Sequence, residues 1–216
     1  MELSPDMLCQ ADRYKLLIGC VVPRPIALVS TVSRAGALNA APFSFFNGVG
    51  SDPMMLLFCP ANKPDGGEKD TLRNAAPEAE GGVGEFVVNI VGRPLAERMA
   101  ACAEPLGHGE SEFSLSGLTA EPSRVVVAPR VAEAAVCFEC RTDRVIRTNP
   151  GRPAGGNVVI GLVVHVRVRD GILDDRFRAD PALIDAVGRM GGLQYCTTRH
   201  RFEMPMGRAA LDCRPE

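Results

Sequence analysis

The stretch Arg24–Asn47, RPIALVSTVSRAGALNAAPFSFFN, limits the fold more than any other part of the chain. Ile26, Leu28, Ser30 and Val32 alternate with Ala27, Val29 and Thr31, and both sets are mostly apolar. That is the pattern of a strand buried on both faces. Ser33–Gly36 supplies a turn, with Gly36 free to take a positive φ. The chain then returns as a second strand through Ala37 to Asn47. Pro42 has no backbone donor, so this return is an edge or interrupted strand. Main-chain groups left without a ladder partner there need water or a ligand. Regular alternation puts Phe43 and Phe45 on one face, opposite Ser44 and Phe46.

The rest of the chain reads as further short strands with a few short helices. Residues 1–13 form a loose lead-in, and Tyr14–Val22 a short helix or turn. Strands are expected at Met54–Cys59, Glu85–Val91, Arg124–Ala128, Val131–Arg141 and Val158–Arg169. A helix over Lys69–Ala76 is capped by Asp70 and stopped by Pro77. Another begins at Pro94 with Leu95, Met99 and Cys102 on its apolar face. A third follows Asp180-Pro181, with Leu183, Ile184 and Val187 inward. Arg144–Pro153 reads as a basic linker and Gly188–Tyr195 as a glycine-rich loop. Such spacing favours an antiparallel barrel over βαβ units, in one domain spanning 1–216.

Composition removes several function classes. A net charge of −2 gives no electrostatic case for nucleic acid, and two tyrosines without tryptophan make no base-stacking platform. No apolar run reaches membrane-spanning length, and the start MELSPDMLCQ lacks a basic, apolar leader, so a cytoplasmic location is expected. Eight cysteines invite a metal or disulfide reading. However, Cys137 and Cys140 are three apart on an alternating strand and face opposite ways, and no second ligand pair is spaced for zinc. Reduced, mostly buried thiols and no metal are expected. His108, His165 and His200 sit in unrelated contexts, and no G-x-S-x-G elbow or GxGxxG loop is present. No residue is assigned a catalytic role. A barrel poor in reactive side chains suits chemistry carried by a cofactor. Locally, Lys69 and Thr71 at a helix start fit either an anion site or a capped surface helix with a solvated lysine.

RPIALVSTVSRAGALNAAPFSFFN, followed in order by SDPMMLLF, KDTLRN, GEFVVNIV, SEFSLSGLT, PRVAEAAVCFEC and GRMGGLQY, resembles the flavin reductase-like family of FMN-binding split β-barrels. The resemblance runs from about Tyr14 to Pro205. It implies an antiparallel, Greek-key split barrel that binds FMN and transfers hydride to it from NAD(P)H. An oxygenase or other redox protein would take the electrons. It also implies a homodimer with flavin near the interface. By the same resemblance FMN lies across Ile26–Thr31 and Asn39–Asn47. The main chain of Ala41, Phe43 and Ser44 would bond the ring's pyrimidine edge, with Val29, Asn39, Pro42 and Asn47 in the same contact set. Ser30 and Thr31 would add hydroxyls, and Lys69, Asp70 and Thr71 would surround the phosphate. Arg189 and Tyr195 would lie near the pocket. Two other readings are a non-catalytic FMN-binding electron carrier and a haem-binding barrel. Flavin retention separates the first from a reductase; the visible spectrum separates the second.

Overall fold

The computed structural model describes residues 1–107 and 110–212, so the loop histidine His108 lies outside the described residues. In chain order the elements are α1 (Gln10–Cys20), β1 (Arg24–Pro25), β2 (Ala27–Val32), β3 (Leu38–Phe43), β4 (Phe46–Ser51) and β5 (Met54–Phe58). They continue as α2 (Asp70–Ala75), β6 (Glu85–Ile90), α3 (Ala96–Ala101), α4 (Glu112–Ser116), β7 (Ala120–Glu121) and β8 (Arg130–Val131). The last are β9 (Val136–Arg147), β10 (Asn157–Val168), α5 (Pro181–Ile184), β11 (Val187–Arg189) and β12 (Tyr195–Thr197).

Seven strands form one antiparallel sheet in the order β3-β2-β6-β9-β10-β5-β4. The outermost strands, β3 and β4, are separated in the chain by Ser44 and Phe45 alone. A flat seven-stranded sheet would hold its edges about 29 Å apart. The link from Phe43 to Phe46 reaches only about 10 Å. The sheet therefore curls until its edges approach without pairing, which makes a split barrel. The expected single strand from Ala37 to Asn47 is accordingly two strands on opposite edges. Phe43 and Phe45 consequently do not share a face. Phe43 packs in the core, its ring centroid 5.1 Å from that of Phe58, while Phe45 borders a cavity.

Apolar alternation on β2 serves two packed layers, as its sequence pattern requires. Ile26 and Leu28 join a cluster with Val87, Met99, Cys137 and Val187. Ala27 and Val29 join a second with Phe43, Phe58, Phe86 and Cys140. Cys137 and Cys140 thus lie on opposite faces, and every cysteine among the described residues is a free thiol.

Four expected elements differ. Arg124–Ala128 is a loop, because its N–H groups bond side chains instead of a strand. Glu139, fully buried at 0% exposure, accepts from Arg124 N at 2.9 Å, Val125 N at 2.7 Å and Val126 N at 3.3 Å. Arg144–Pro153 is no free linker. β9 runs on to Arg147, which pairs with Asn157 and forms ion pairs with Glu68 at 2.6 Å and Glu80 at 2.8 Å. Gly188–Tyr195 is a hairpin of β11 and β12 added to β1. A Cβ on Gly188 would fall 2.9 Å from Cys196 Sγ, so the close pairing needs glycine. Finally, Lys69 holds the cap position of α2 instead of Asp70, and its side chain makes no cap bond.

Smaller differences follow the same logic of local geometry. Pro94 opens a single 3₁₀ turn, Arg93–Leu95, ahead of α3, and Leu95, Met99 and Cys102 are buried as their spacing requires. Asp180 caps α5 through Ala182 N at 2.7 Å, but Leu183 faces solvent with 53% exposure.

The Glu139 contacts predict a specific loss. Glu139→Ala leaves one buried and two part-buried N–H groups without their acceptor and should lower the unfolding free energy by about 3 kcal/mol in urea denaturation. A loss under about 1 kcal/mol would contradict this account of the 124–128 loop.

Candidate functional site

A cavity of about 1280 Å³ opens along β3 at the split. Leu38, Asn39, Ala41, Pro42 and Phe45 line one wall. Lys63, Lys69, Asp70, Thr71 and Arg73 line a second, Glu112 lies beside them, and Gln10, Arg13, Tyr14 and Leu17 of α1 form a third. Sequence placed Asn39, Ala41, Pro42, Lys69, Asp70 and Thr71 together, and the fold brings these six to one cavity.

The edge of β3 is oriented by one hydrogen bond. Ala40 N–H points away from β2 and donates to Glu112 Oε2 at 3.0 Å. Antiparallel strands alternate inward and outward main-chain groups, so Leu38 and Pro42 also face outward. Proline sits where its missing donor costs no ladder bond. Asn39, Ala41 and Phe43 face β2, opposite Thr31, Val29 and Ala27. The expected main-chain contacts of Ala41 and Phe43 with a ligand are therefore redirected into the sheet, and Ala41 meets the cavity through its side chain. Burial raises the pKa of Glu112, an effect that the Ala40 N–H opposes.

A polar network joins three elements behind the wall. Asn39 Nδ2 donates to Thr31 Oγ1 at 3.1 Å and to Thr71 Oγ1 at 2.9 Å, and Asn74 Nδ2 donates to Thr31 Oγ1 at 3.1 Å. Thr71 is 1% exposed; its hydroxyl accepts from Asn39 and keeps a proton to give.

Cations dominate the α2 side, and most are engaged. Asp70 pairs with Lys63 at 3.6 Å and Arg73 at 3.5 Å, which offsets the charge of its carboxylate beside the cavity. Arg34 donates to Glu78 O at 2.8 Å and Gly82 O at 3.0 Å. The Lys69 side chain has no hydrogen bond or ion pair among the described residues; its ammonium stands 6.0 Å from the Phe43 ring centroid. Lys69 is exposed to solvent where the cavity opens, with partial desolvation by the protein atoms around it. That desolvation, with nearby Lys63, lowers its pKa.

The remaining predicted residues lie elsewhere. Val29 is buried in the second cluster. Ser30 is fully buried, accepting from Asn89 at 3.0 Å and donating to Pro129 O, so its hydroxyl is turned from the cavity. Asn47 is exposed on β4 and accepts from Gly48 N at 2.8 Å. Arg189 stacks on Tyr195 at 4.4 Å in the β11–β12 hairpin, and neither lines the cavity.

Ser44 belongs to a further device. Its Oγ accepts from Arg24 Nε at 3.2 Å. The same guanidinium donates to Ile18 O at 2.5 Å, Val21 O at 2.6 Å and Met190 O at 3.0 Å, and lies 5.9 Å from the Phe45 ring. Arg24, 4% exposed, thus ties α1, the hairpin and the edge-to-edge link together. Sequence reasoning read Arg24 only as a strand opener and missed the α1 wall, Lys63 and Glu112. Gln10 and Arg13 are polar, so the spacing of 10, 13, 14 and 17 gave no apolar helical signal. Nothing local shows that Glu112 reaches a strand edge 72 residues away.

Among the described residues no helix is long and apolar enough to cross a membrane. The flavin reductase like domain model matches residues 18–194. The uncharacterized protein BH2278 of Halalkalibacterium halodurans is 41% identical over 197 residues, covering 90% of this chain and 91% of its own. Nitrilotriacetate monooxygenase component B from Bacillus cereus superposes with a TM-score of 0.87 at 33% identity, over 94% of this chain and 98% of that one. Pseudomonas fluorescens 2-nitrobenzoate 2-nitroreductase NbaA gives a TM-score of 0.84 at 31% identity, over 96% and 97%. A curled sheet split at β3 and β4, the cavity along that split and a match over most of the chain agree: this protein belongs to the flavin reductase-like family.

Proposed function

We propose that the protein binds FMN in the cavity beside β3 and acts as an NAD(P)H:flavin oxidoreductase. The observation that carries this is Lys69, a cation without an anionic partner among the described residues, lining the cavity next to Thr71. The donor set fits the cofactor: Lys69 and the Thr71 hydroxyl suit a phosphate, and Ala41, Pro42 and Phe45 offer a flat apolar wall to an aromatic ring. When bound, the flavin supplies the ring that takes hydride from a reduced nicotinamide and passes electrons on. The chain's own part is to hold the phosphate, orient the ring and shield it. Asn39 fixes Thr71 against β2 and β3, and Arg24 holds Ser44 and Phe45 in place.

Similarity to a monooxygenase component B supports an oxygenase as electron acceptor. Similarity to a nitroreductase favours a second reading, in which a small aromatic acceptor enters the same cavity. An FMN-binding electron carrier would use the identical phosphate site without consuming nicotinamide. The exposed β4 edge, with Val49 open to solvent and Met54 exposed at the start of β5, supports a homodimer.

Two outcomes follow. FMN-loaded protein should oxidise NADH or NADPH, seen as falling nicotinamide absorbance; retained FMN with unchanged nicotinamide would leave only the carrier. Lys69→Met should weaken FMN binding about tenfold or more in a fluorescence titration, the loss of one charge-assisted hydrogen bond. Raising the pH neutralises Lys69 and removes that attraction. Because its pKa is lowered, wild-type affinity should begin to fall below the ordinary lysine value of about 10.4. Riboflavin, without a phosphate, should show neither effect; equal losses for riboflavin would place the phosphate elsewhere.

A further inference from the structure

We infer that the cavity-facing stripe of α1, Gln10, Arg13, Tyr14 and Leu17, is the recognition surface for the adenosine diphosphate half of the nicotinamide co-substrate. This rests on the reductase reading of the cavity and names the residues that would receive the second nucleotide.

The helix is an unusual part of the fold, because none of its eleven residues is buried. It fills no core. Its C-terminal end is anchored by Arg24, through the carbonyls of Ile18 and Val21. The four residues at 10, 13, 14 and 17 follow the i, i+3, i+4, i+7 spacing of one helical face, and all four line the cavity. Leu16, equally apolar and partly exposed, lies off that stripe and does not.

The stripe has the chemistry of a nucleotide contact. Tyr14 offers a ring at 53% exposure, able to stack on a base. Gln10 offers an amide, and Arg13 a guanidinium suited to phosphate. Neighbouring charges leave Arg13 available, since Asp12 is taken by Lys15 at 3.1 Å. Five cations line the cavity: Arg13, Arg34, Lys63, Lys69 and Arg73. Lys63 and Arg73 share the single carboxylate of Asp70, and Arg34 donates to two carbonyls. Arg13 and Lys69 therefore remain as the two without side-chain partners among the described residues. They belong to different elements, so the cavity presents two phosphate-binding groups on separate walls. Its volume of about 1280 Å³ also exceeds the roughly 300–1,000 Å³ that accommodates one ligand.

The matched family model begins at residue 18, after the last member of the stripe. The stripe therefore lies outside the matched domain model, on the helix that leads into it.

The experiment is calorimetric titration of the full-length protein, with and without FMN, against ADP-ribose and 2′-phospho-ADP-ribose. At least one should bind. Arg13→Gln should weaken it about tenfold, the loss of a charge-assisted contact. Tyr14→Leu should weaken it by a similar factor through lost stacking. Both side chains lie outside the core, so melting temperature and FMN affinity should match wild type, and the KM for nicotinamide should rise while kcat holds. Wild-type affinities in both variants, or no binding of either compound by the wild type, would overturn the inference. If the wild type consumes no nicotinamide, the reductase reading fails instead, and ADP-ribose binding still decides the stripe.

Discussion

The shape of this molecule depends on the shortness of one connection. Ser44 and Phe45 join strands that occupy opposite edges of a seven-stranded sheet. Two residues cannot cross a flat sheet, so the sheet must curl, and the curl brings two unpaired edges side by side. Pro42 keeps β3 from being extended by another strand at the position where its outward donor is missing. Glu112 occupies the outward Ala40 N–H. The edge is thereby kept open as one wall of a cavity.

Everything the site offers follows from how neighbouring elements attach to that link. Arg24 bonds the link's Ser44, the end of α1 and the β11–β12 turn, so one buried guanidinium sets three walls relative to one another. Asn39 performs a similar task between β2, β3 and α2. These are polar interactions inside an apolar frame, each satisfied, and no buried side-chain nitrogen or oxygen among the described residues lacks a partner. Against that background the cations left unpaired in the cavity stand out. Ion pairing consumes Asp70, Lys63 and Arg73 locally. What remains are Lys69 and Arg13 on separate elements of a cavity that Asp65, Glu104, Glu110 and Glu112 also line. Two separate cations suit a nucleotide ligand, in keeping with chemistry supplied by a cofactor.

The parts legible in the sequence are those governed by short-range periodicity. The two-faced burial of Ile26–Thr31, the edge position of Pro42, the opposed faces of Cys137 and Cys140, and the buried stripe Leu95, Met99 and Cys102 all follow from neighbours a few residues apart. Residues that act across the fold were not legible. Glu139 turns 124–128 from a strand into a loop by accepting bonds from residues 13 to 15 positions away. Ser30 was expected to offer its hydroxyl to a ligand, but alternation alone cannot say which face of a doubly buried strand meets the cavity. The answer depends on Asn89 and Pro129. Gln10 and Arg13 fell in the lead-in and only Tyr14 and Leu17 in the expected short helix or turn, because the apolar signal of α1 is weak, as expected of a helix that packs against no core.

The central claim is that the split between β3 and β4 exists to seat a flavin nucleotide whose phosphate meets Lys69. A crystal structure of the protein soaked with FMN tests it most directly. The account predicts phosphate density within hydrogen-bonding distance of Lys69 Nζ and the ring lying against Ala41, Pro42 and Phe45. Flavin bound away from β3, or a cavity closed by the protein's own side chains with no flavin in it, would contradict it.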